Sequence, residues 1–316
     1  MPEVVAAIDC GSNSTRLLVV DETGRSIIRE MRITRLGEGV DASRLLQADA
    51  MERTFSTLRD YRELMTKAGV GLARVVATSA VRDAFNQGEF LQEASRSTGI
   101  AAEVLSGDDE AFYSYTGATA GLQEVPSRTF LIVDIGGGST ELATMINDEI
   151  VGVSMQIGCV RVTERALGKE APTPSREKAA RSMIHDELSR VLTLEPRLDQ
   201  IVGSTQLLGL AGTVATLVQL TKAVAEYDRD LVHHQIVGRE QVNEWRLTLE
   251  RESPAERLKH PGMTPGREDV LVSGLMILEA VMDHFRVDEL LSSENDILDG
   301  LVLTLRADSA PSSQNL

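Results

Sequence analysis

The chain has 316 residues, a formal net charge of −16, 42% apolar and 25% charged residues. That length supports two domains with cores of their own, and the acidic balance excludes a duplex nucleic-acid partner, which requires a basic face. No apolar run is long enough to span a membrane, and the N-terminus opens directly into a strand without a basic region or cleavage site, so a cytoplasmic protein is expected.

In chain order, Val4 to Ile8 and Leu17 to Val20 read as strands around a tight turn, and Ser26 to Ile33 completes a meander. Asp49 reads as the cap of a long helix, because Met51, Phe55, Leu58, Tyr61, Leu64 and Met65 recur at helical spacing. A short strand at Val75 to Ala77, a helix at Phe90 to Thr98, a strand at Ala102 to Leu105 and a helix at Asp108 to Ala120 follow. The order β-β-β-α-β-α-β-α closes a first domain over 1–121. A second domain over 122–295 repeats the opening with strands at 130–134, 141–146 and 149–155 and helices near 161–167 and 175–194. A strand around Ile201, an apolar helix from Val214 to Val224, and the very apolar Val270 to Phe285 follow. A last strand is expected at Leu290 to Leu291 and a last helix at 296–306, able to pack back onto the first domain, with a flexible tail over 307–316.

One pattern, D-x-G-x-x-S-T, occurs twice. Asp9-Cys10-Gly11-Ser12-Asn13-Ser14-Thr15 and Asp134-Ile135-Gly136-Gly137-Gly138-Ser139-Thr140 each lie between two apolar runs. Successive amides in such a glycine turn form a concavity for an anion, and Ser or Thr hydroxyls add donors. An Asp at the end of the leading strand sets a carboxylate at its edge, where a metal ion can sit. Two such loops suggest one phosphate chain held between two related halves. A turn Asp that bonds its own backbone is the plainer reading of Asp9 and Asp134; duplication in frame favours a metal or water role for at least one. Magnesium suits so sparse an acidic site. Glu141 lies seven residues after Asp134. On spacing alone, a cavity-facing carboxylate and a solvated strand residue are equally good readings of it.

Ser106-Gly107-Asp108-Asp109-Glu110 reads as a capped first turn with acids that complement the helix dipole; pattern alone does not decide whether Glu110 does more. Arg16, Arg82 and Arg267 each stand beside a glycine loop or a strand end and are candidates for bidentate phosphate contacts. Gly212-Thr213 opens an apolar helix, whose N-terminus can take a phosphate, although Gly-Thr also caps helices without function. Cys10 and Cys159 have no zinc or disulfide spacing, and the five histidines have no metal spacing. The absence of G-x-x-x-x-G-K-[ST] and G-x-G-x-x-G disfavours Walker-type hydrolysis and hydride transfer.

Together these residues resemble the exopolyphosphatase and guanosine-pentaphosphate phosphohydrolase (Ppx/GppA) family. Six motifs carry the resemblance: Asp9-x-Gly11-Ser12-Asn13-Ser14; Thr78-Ser79-Ala80-Val81-Arg82-Asp83-Ala84-x-Asn86; Ser106-Gly107-x-Asp109-Glu110-Ala111; Asp134 to Glu141; Gly158-Cys159-Val160-Arg161; and Gly209-Leu210-Ala211-Gly212-Thr213. The resemblance implies an α/β fold of two ribonuclease-H-like domains around a central cleft, as in actin, sugar kinases and 70-kDa chaperones. It implies that Glu110 is the catalytic base and that Asp134 and Glu141, with Asp9 as a further candidate ligand, hold Mg2+ (or Mn2+) or position the attacking water. Ser12, Asn13, Ser14, Arg16, Arg82, Gly136, Gly137, Gly138, Ser139, Thr140, Gly212, Thr213 and Arg267 are then the substrate-binding set. The implied reaction is hydrolysis of a terminal phosphoanhydride, of inorganic polyphosphate or of guanosine pentaphosphate (pppGpp); the acidic surface suggests short polyphosphate chains over very long ones. A catalytically silent sensor of either ligand is the alternative from another class. A homodimer stays open as the assembly. Long members continue into a helical HD-type region beyond the two-domain core; the motif S-G-x-E-E reads Ser106-Gly107-Asp108-Asp109-Glu110 here, and L-R-E-G reads Ile297-Leu298-Asp299-Gly300.

Overall fold

The computed structural model describes residues 3–122 and 129–309. The chain divides into two compact units, the described residues of Met1–Ser106 with Ile297–Leu316, and of Gly107–Asp296.

The first unit is built on β1 (Val5–Cys10), β2 (Ser14–Val20), β3 (Ser26–Ile33), β4 (Leu72–Ala77) and β5 (Ala102–Val104), in the order β3-β2-β1-β4-β5. β1 to β3 form an antiparallel meander, and β4 and β5 add in parallel to β1. All of β1 is buried, because both its faces are covered. Ala6, Ile8 and Cys10 join Phe55, Leu58, Tyr61 and Met65 of helix α1 (Ala48–Lys67) and Phe90 and Ala94 of α2 (Gln87–Thr98) in one core. Asp49 is not the cap: the helix starts at Ala48, and Asp49 takes the Ala50 amide and pairs with Arg53 within the first turn.

The second unit repeats the meander with β6 (Thr129–Ile135), β7 (Thr140–Ile146) and β8 (Glu149–Met155), then adds β9 (Thr205–Leu210), β10 (Ile236–Gly238) and β11 (Glu289–Ser292). The order β10-β11-β9-β6-β7-β8 is that of the first sheet with β10 appended at the edge. Both units are therefore ribonuclease-H-like, a three-stranded meander followed by parallel strands. The strand expected around Ile201 begins later, at Thr205; Pro196–Ile201 is a tight helical turn, and Gly203 at φ 73° must be passed before the chain can extend.

The other helices longer than two turns are α3 (Gly107–Thr119), α4 (Pro174–Leu194), α5 (Ala211–Lys222), α6 (Arg239–Glu250), α7 (Leu271–Phe285) and α8 (Ile297–Ser309). The division near 121 is corrected to Ser106/Gly107, because α3 packs on β6, β7 and β8 of the second sheet. The last helix packs on β1, β2 and β4 of the first sheet. It runs on to Ser309, so the tail expected from 307 begins helical; 310–316 lie outside the described residues.

Alternation along the strands sorts the second sheet into two faces. Leu131, Val133, Ile135, Leu142, Val151, Val153, Met155 and Leu207 enter the large core with α4, α5 and α7. Phe130, Ile132, Ala143, Leu208 and Leu210 meet Ala111, Tyr115 and Ala118 of α3 on the other. The next residues on that second face are polar: Asp134, Glu141 and Ser154. An apolar layer thus ends in a small polar patch under the first turns of α3. Among the described residues, no helix is long and apolar enough to cross a membrane.

Candidate active site

The two loops share one backbone geometry. The Gly11 amide donates to the Ser14 carbonyl at 3.0 Å, and the Gly136 amide to the Ser139 carbonyl at the same distance. A Cβ on either glycine would sit 3.0 Å from that carbonyl oxygen, which is why the position is glycine in both. Each loop is gripped from behind by the segment that follows its meander. The Gly37 amide donates to the Ser12 carbonyl at 2.7 Å, and the Thr34 and Arg35 amides donate to that of Asn13. In the second unit the Cys159 amide donates to the Gly136 carbonyl at 2.9 Å, and the Val160 and Arg161 amides both donate to that of Gly137. The amides of Gly137, Gly138 and Ser139 donate to no acceptor among the described residues. Within the same limits, buried Asn13 Nδ2 and Thr140 Oγ1 also lack a partner. Carbonyls tied down on one side and donors left over on the other are what an anion cradle requires.

Gly158 lets this grip close, since a Cβ there would lie 2.4 Å from both the carbonyl carbon and oxygen of Gly137. Backbone cannot yield as a flexible side chain can. Gly158→Ala is expected to destabilise the protein by about 1–3 kcal/mol, as overpacking does, and to displace the loop; a denaturant titration measures it.

Sequence register makes the halves unequal. Asp9 stands opposite Arg16 across β1 and β2, and Asp134 stands opposite Glu141 across β6 and β7. Equivalent positions therefore carry a cation in one half and a carboxylate in the other. Arg16 donates to Asp9 Oδ2 through Nη2 at 2.6 Å and Nε at 3.1 Å. Asp9 is thus held by a guanidinium, and Arg16 by a carboxylate.

Asp134 and Glu141 are 7% and 3% exposed and share one sheet face, where like charges directly opposite are unfavourable without compensation. Two hydroxyls supply part of it: Ser114 Oγ donates to Asp134 Oδ2 at 2.8 Å, and Ser154 Oγ to Glu141 Oε1 at 2.8 Å. Hydroxyls that fix carboxylate ligands from outside are a usual support of a metal site. Among the described residues no group of three His, Cys, Asp or Glu side chains could hold a metal. Two carboxylates completed by waters and phosphate oxygens fit Mg2+, which seldom takes an all-protein cage.

Glu110 lies in the first turn of α3 and is 5% exposed. It precedes Ser114 by four residues, so the two occupy one face of the helix. Ser114 reaches Asp134, so that face is turned to the polar patch. Gly107 lets the helix start close to β8, because a Cβ there would meet the Ser154 Cβ at 2.5 Å.

The other expected residues distribute as follows. Ser12 Oγ lies 3.0 Å from Ser79 Oγ, and the Thr78 amide donates to the Cys10 carbonyl, so the turn carrying Arg82 abuts the first loop. Arg82 Nη1 donates to the Leu105 carbonyl at 2.8 Å. Asn86 is structural: it clasps the amide and carbonyl of Leu46. β6 and β9 are parallel neighbours, with Asp134 beside Leu210, so the Gly136–Ser139 loop and the start of α5 leave the sheet at the same end. Ala211 adopts φ 61°, a strained conformation for a residue with a Cβ. The Arg267 guanidinium lies flat on Gly212, 1.8–2.0 Å from where a Cβ would be, and so brings its charge to the α5 N-terminus. Thr213 instead packs into the notch at Gly274 of α7. Burial pushes the Cys159 thiol up to about 11 against the opposing Arg267 charge, which leaves it an inert packing residue. His233 accepts the Glu294 amide on Nδ1 and stacks on His234, a structural arrangement.

Sequence reasoning missed Ser114 and Ser154. The four-residue step from Glu110 was a signal for the first; the second needed the β7–β8 register.

The profile of the Ppx/GppA phosphatase family matches residues 18–307. Exopolyphosphatase 2 of Mycobacterium tuberculosis is 37% identical over 317 aligned residues, covering 95% of this chain and 98% of that protein. The crystal structure of an Aquifex aeolicus Ppx/GppA family member superposes with a TM-score of 0.79 at 30% identity, over 98% of this chain and 99% of that one. An exopolyphosphatase from Cytophaga hutchinsonii gives a TM-score of 0.85 at 25% identity, over 97% and 98%. With its loops, its sheet order and its family profile in agreement, this chain belongs to the Ppx/GppA phosphatase family.

Proposed function

We propose that this protein is an exopolyphosphatase, which removes the terminal phosphate of inorganic polyphosphate by attack of water. The observation that carries the proposal is the inequality of the register-equivalent pairs, Asp9 with Arg16 but Asp134 with Glu141. The first pair is self-neutralised and leaves its loop to bind phosphate. The second concentrates negative charge beside a loop with spare donors, a combination suited to a cation and a phosphoryl group together.

In this reading the amides of Gly137, Gly138 and Ser139 and the Thr140 hydroxyl hold oxygens of the terminal phosphate. Glu110 accepts the proton of the attacking water and orients it in line with the scissile bond. Asp134 and Glu141 hold Mg2+ (or Mn2+), which when bound supplies charge neutralisation on the transferring group and its leaving oxygen. Arg267, at the start of α5 in the same unit, holds a phosphate further along the chain. Because the net charge of −16 gives no long-range attraction for a polyanion, grip comes from these local groups, and short chains are favoured over very long ones. The name of the 37% identical relative supports polyphosphate as the substrate.

Phosphate release over a polyphosphate length series, with pppGpp alongside, tests the reading. A kcat/KM at least tenfold higher for short polyphosphate than for pppGpp is expected. The reverse ratio assigns a pppGpp phosphohydrolase, and tight binding without release in the presence of Mg2+ assigns a sensor.

A further inference from the structure

We propose that Glu187 is a positioning residue for the reaction: from α4 it fastens the end of β8, and through β8 it fixes both Glu141 and the phosphate loop. The inference rests on the reading of Glu141 and the second loop as the reacting end of the site.

The connections run outward from one carboxylate. β8 leaves the sheet at Met155, and the amide of the next residue, Gln156, donates to Glu187 Oε1. Glu187 also takes two hydrogen bonds from Arg190, from Nε at 2.8 Å and Nη2 at 2.7 Å. Arg190 Nη2 reaches the Ser154 carbonyl at 3.5 Å. Ser154 is the residue whose hydroxyl donates to Glu141 Oε1, and the Gln156 side-chain amide lies 3.4 Å from that hydroxyl. Ser154 is therefore held on three sides.

The second branch leads to the loop. The Gln156 carbonyl accepts Arg161 Nη1 at 2.9 Å, which closes 156–161 into a compact turn. The amides of that turn hold the Gly136 and Gly137 carbonyls, and Gly158 packs on Gly137. One acid on a helix outside the patch thus bears on the carboxylate and the cradle at once.

Position along α4 supports a role beyond packing. Ala180, Ile184, Leu188 and Val191 form the buried stripe of this helix, and Glu187 stands between Ile184 and Leu188 at its edge. An apolar residue would serve the core better there, since burying a charge is unfavourable unless it is paired. Burial acts to raise the Glu187 pKa, but Arg190, the Gln156 amide and the Arg161 charge outweigh it and hold the carboxyl below its ordinary range. It stays ionised at neutral pH and keeps its grip.

Hydrogen exchange measured by mass spectrometry separates fastening from general stability. In Glu187→Ala, peptides over 157–162 are expected to exchange at least tenfold faster, while those over β9 and α7 stay at the wild-type rate. Polyphosphate kcat/KM is expected to fall 10- to 100-fold, the usual effect of losing support behind a ligand, with a higher Mg2+ concentration for half-maximal rate. Glu187→Gln, which keeps an oxygen for the Gln156 amide, should recover most of the exchange protection. Glu177→Ala, elsewhere on the same helix, should change neither. Arg190→Ala carries the same comparison if Glu187→Ala does not fold. Unchanged exchange over 157–162 in the Glu187→Ala protein would overturn the proposal. Faster local exchange in a protein whose wild type releases no phosphate would uphold the fastening and remove the hydrolase reading instead.

Discussion

Glu110→Gln is expected to reduce phosphate release by a factor of about 10²–10⁴, the usual contribution of a general base, and to leave the fold in place. The carboxylate lies in the first turn of α3, on the face that Ser114 turns toward Asp134. A glutamine there keeps the shape and one acceptor oxygen but cannot take a proton from water. The loss of a favourable charge at a helix N-terminus costs about 0.3–1 kcal/mol. Substrate binding should survive, because the cradle amides and arginines are untouched, so kcat falls while KM stays within a few-fold. Steady-state kinetics beside a thermal melt make the comparison. Near-normal turnover with both polyphosphate and pppGpp would remove Glu110 from the mechanism.

Much of this arrangement was legible before the fold was known, and the parts that were not share a cause. The duplicated D-x-G-x-x-S-T pattern carried the two loops because glycine at the turn answers a local backbone demand, written in local sequence. The seven-residue spacing from Asp9 to Arg16 equals that from Asp134 to Glu141, so the register pairs were already implied once both runs were read as hairpins. Ser114 and Ser154 escaped because a serine on a helix or strand has no distinctive pattern; its partner is chosen by which sheet the helix covers. The same ambiguity set the domain division near 121 rather than at Ser106/Gly107, since the sequence of α3 does not say which sheet its apolar side will meet. Arg16 illustrates a further limit. Its setting beside a glycine loop fitted a phosphate contact, and spacing that puts it opposite Asp9 does not say that its guanidinium turns onto that carboxylate, as it does. Gly212 is similar: its small size suited an anion at a helix start, and it also accommodates the guanidinium of Arg267 from 55 residues downstream (267 − 212).

Glu141→Gln is expected to abolish metal-dependent turnover and, in the absence of metal, to raise stability. Asp134 and Glu141 are buried and directly opposite each other, and such like-charged cross-strand pairs are destabilising. Glutamine removes one charge, keeps an oxygen for the Ser154 hydroxyl and relieves the repulsion. A gain of about 1 kcal/mol would raise Tm by roughly 1–2 °C in a chain of 316 residues. Wild-type protein should instead gain stability on adding Mg2+, by about 2.7 kcal/mol at a hundredfold excess over Kd, and the variant should lose most of that response. Activity and metal-free stability therefore move in opposite directions at one residue, as expected where a strained arrangement is kept for function. The same substitution logic applied to the first half gives the opposite sign. Arg16→Gln would remove the guanidinium from buried Asp9 and is expected to destabilise, by less than the about 3–5 kcal/mol of breaking a fully buried pair because Arg16 is part-exposed. Thermal melts of the two variants with and without Mg2+ test the contrast. If Glu141→Gln melts below metal-free wild type, or still responds fully to Mg2+, the second pair is an ordinary structural feature and the inequality between the halves carries no chemistry.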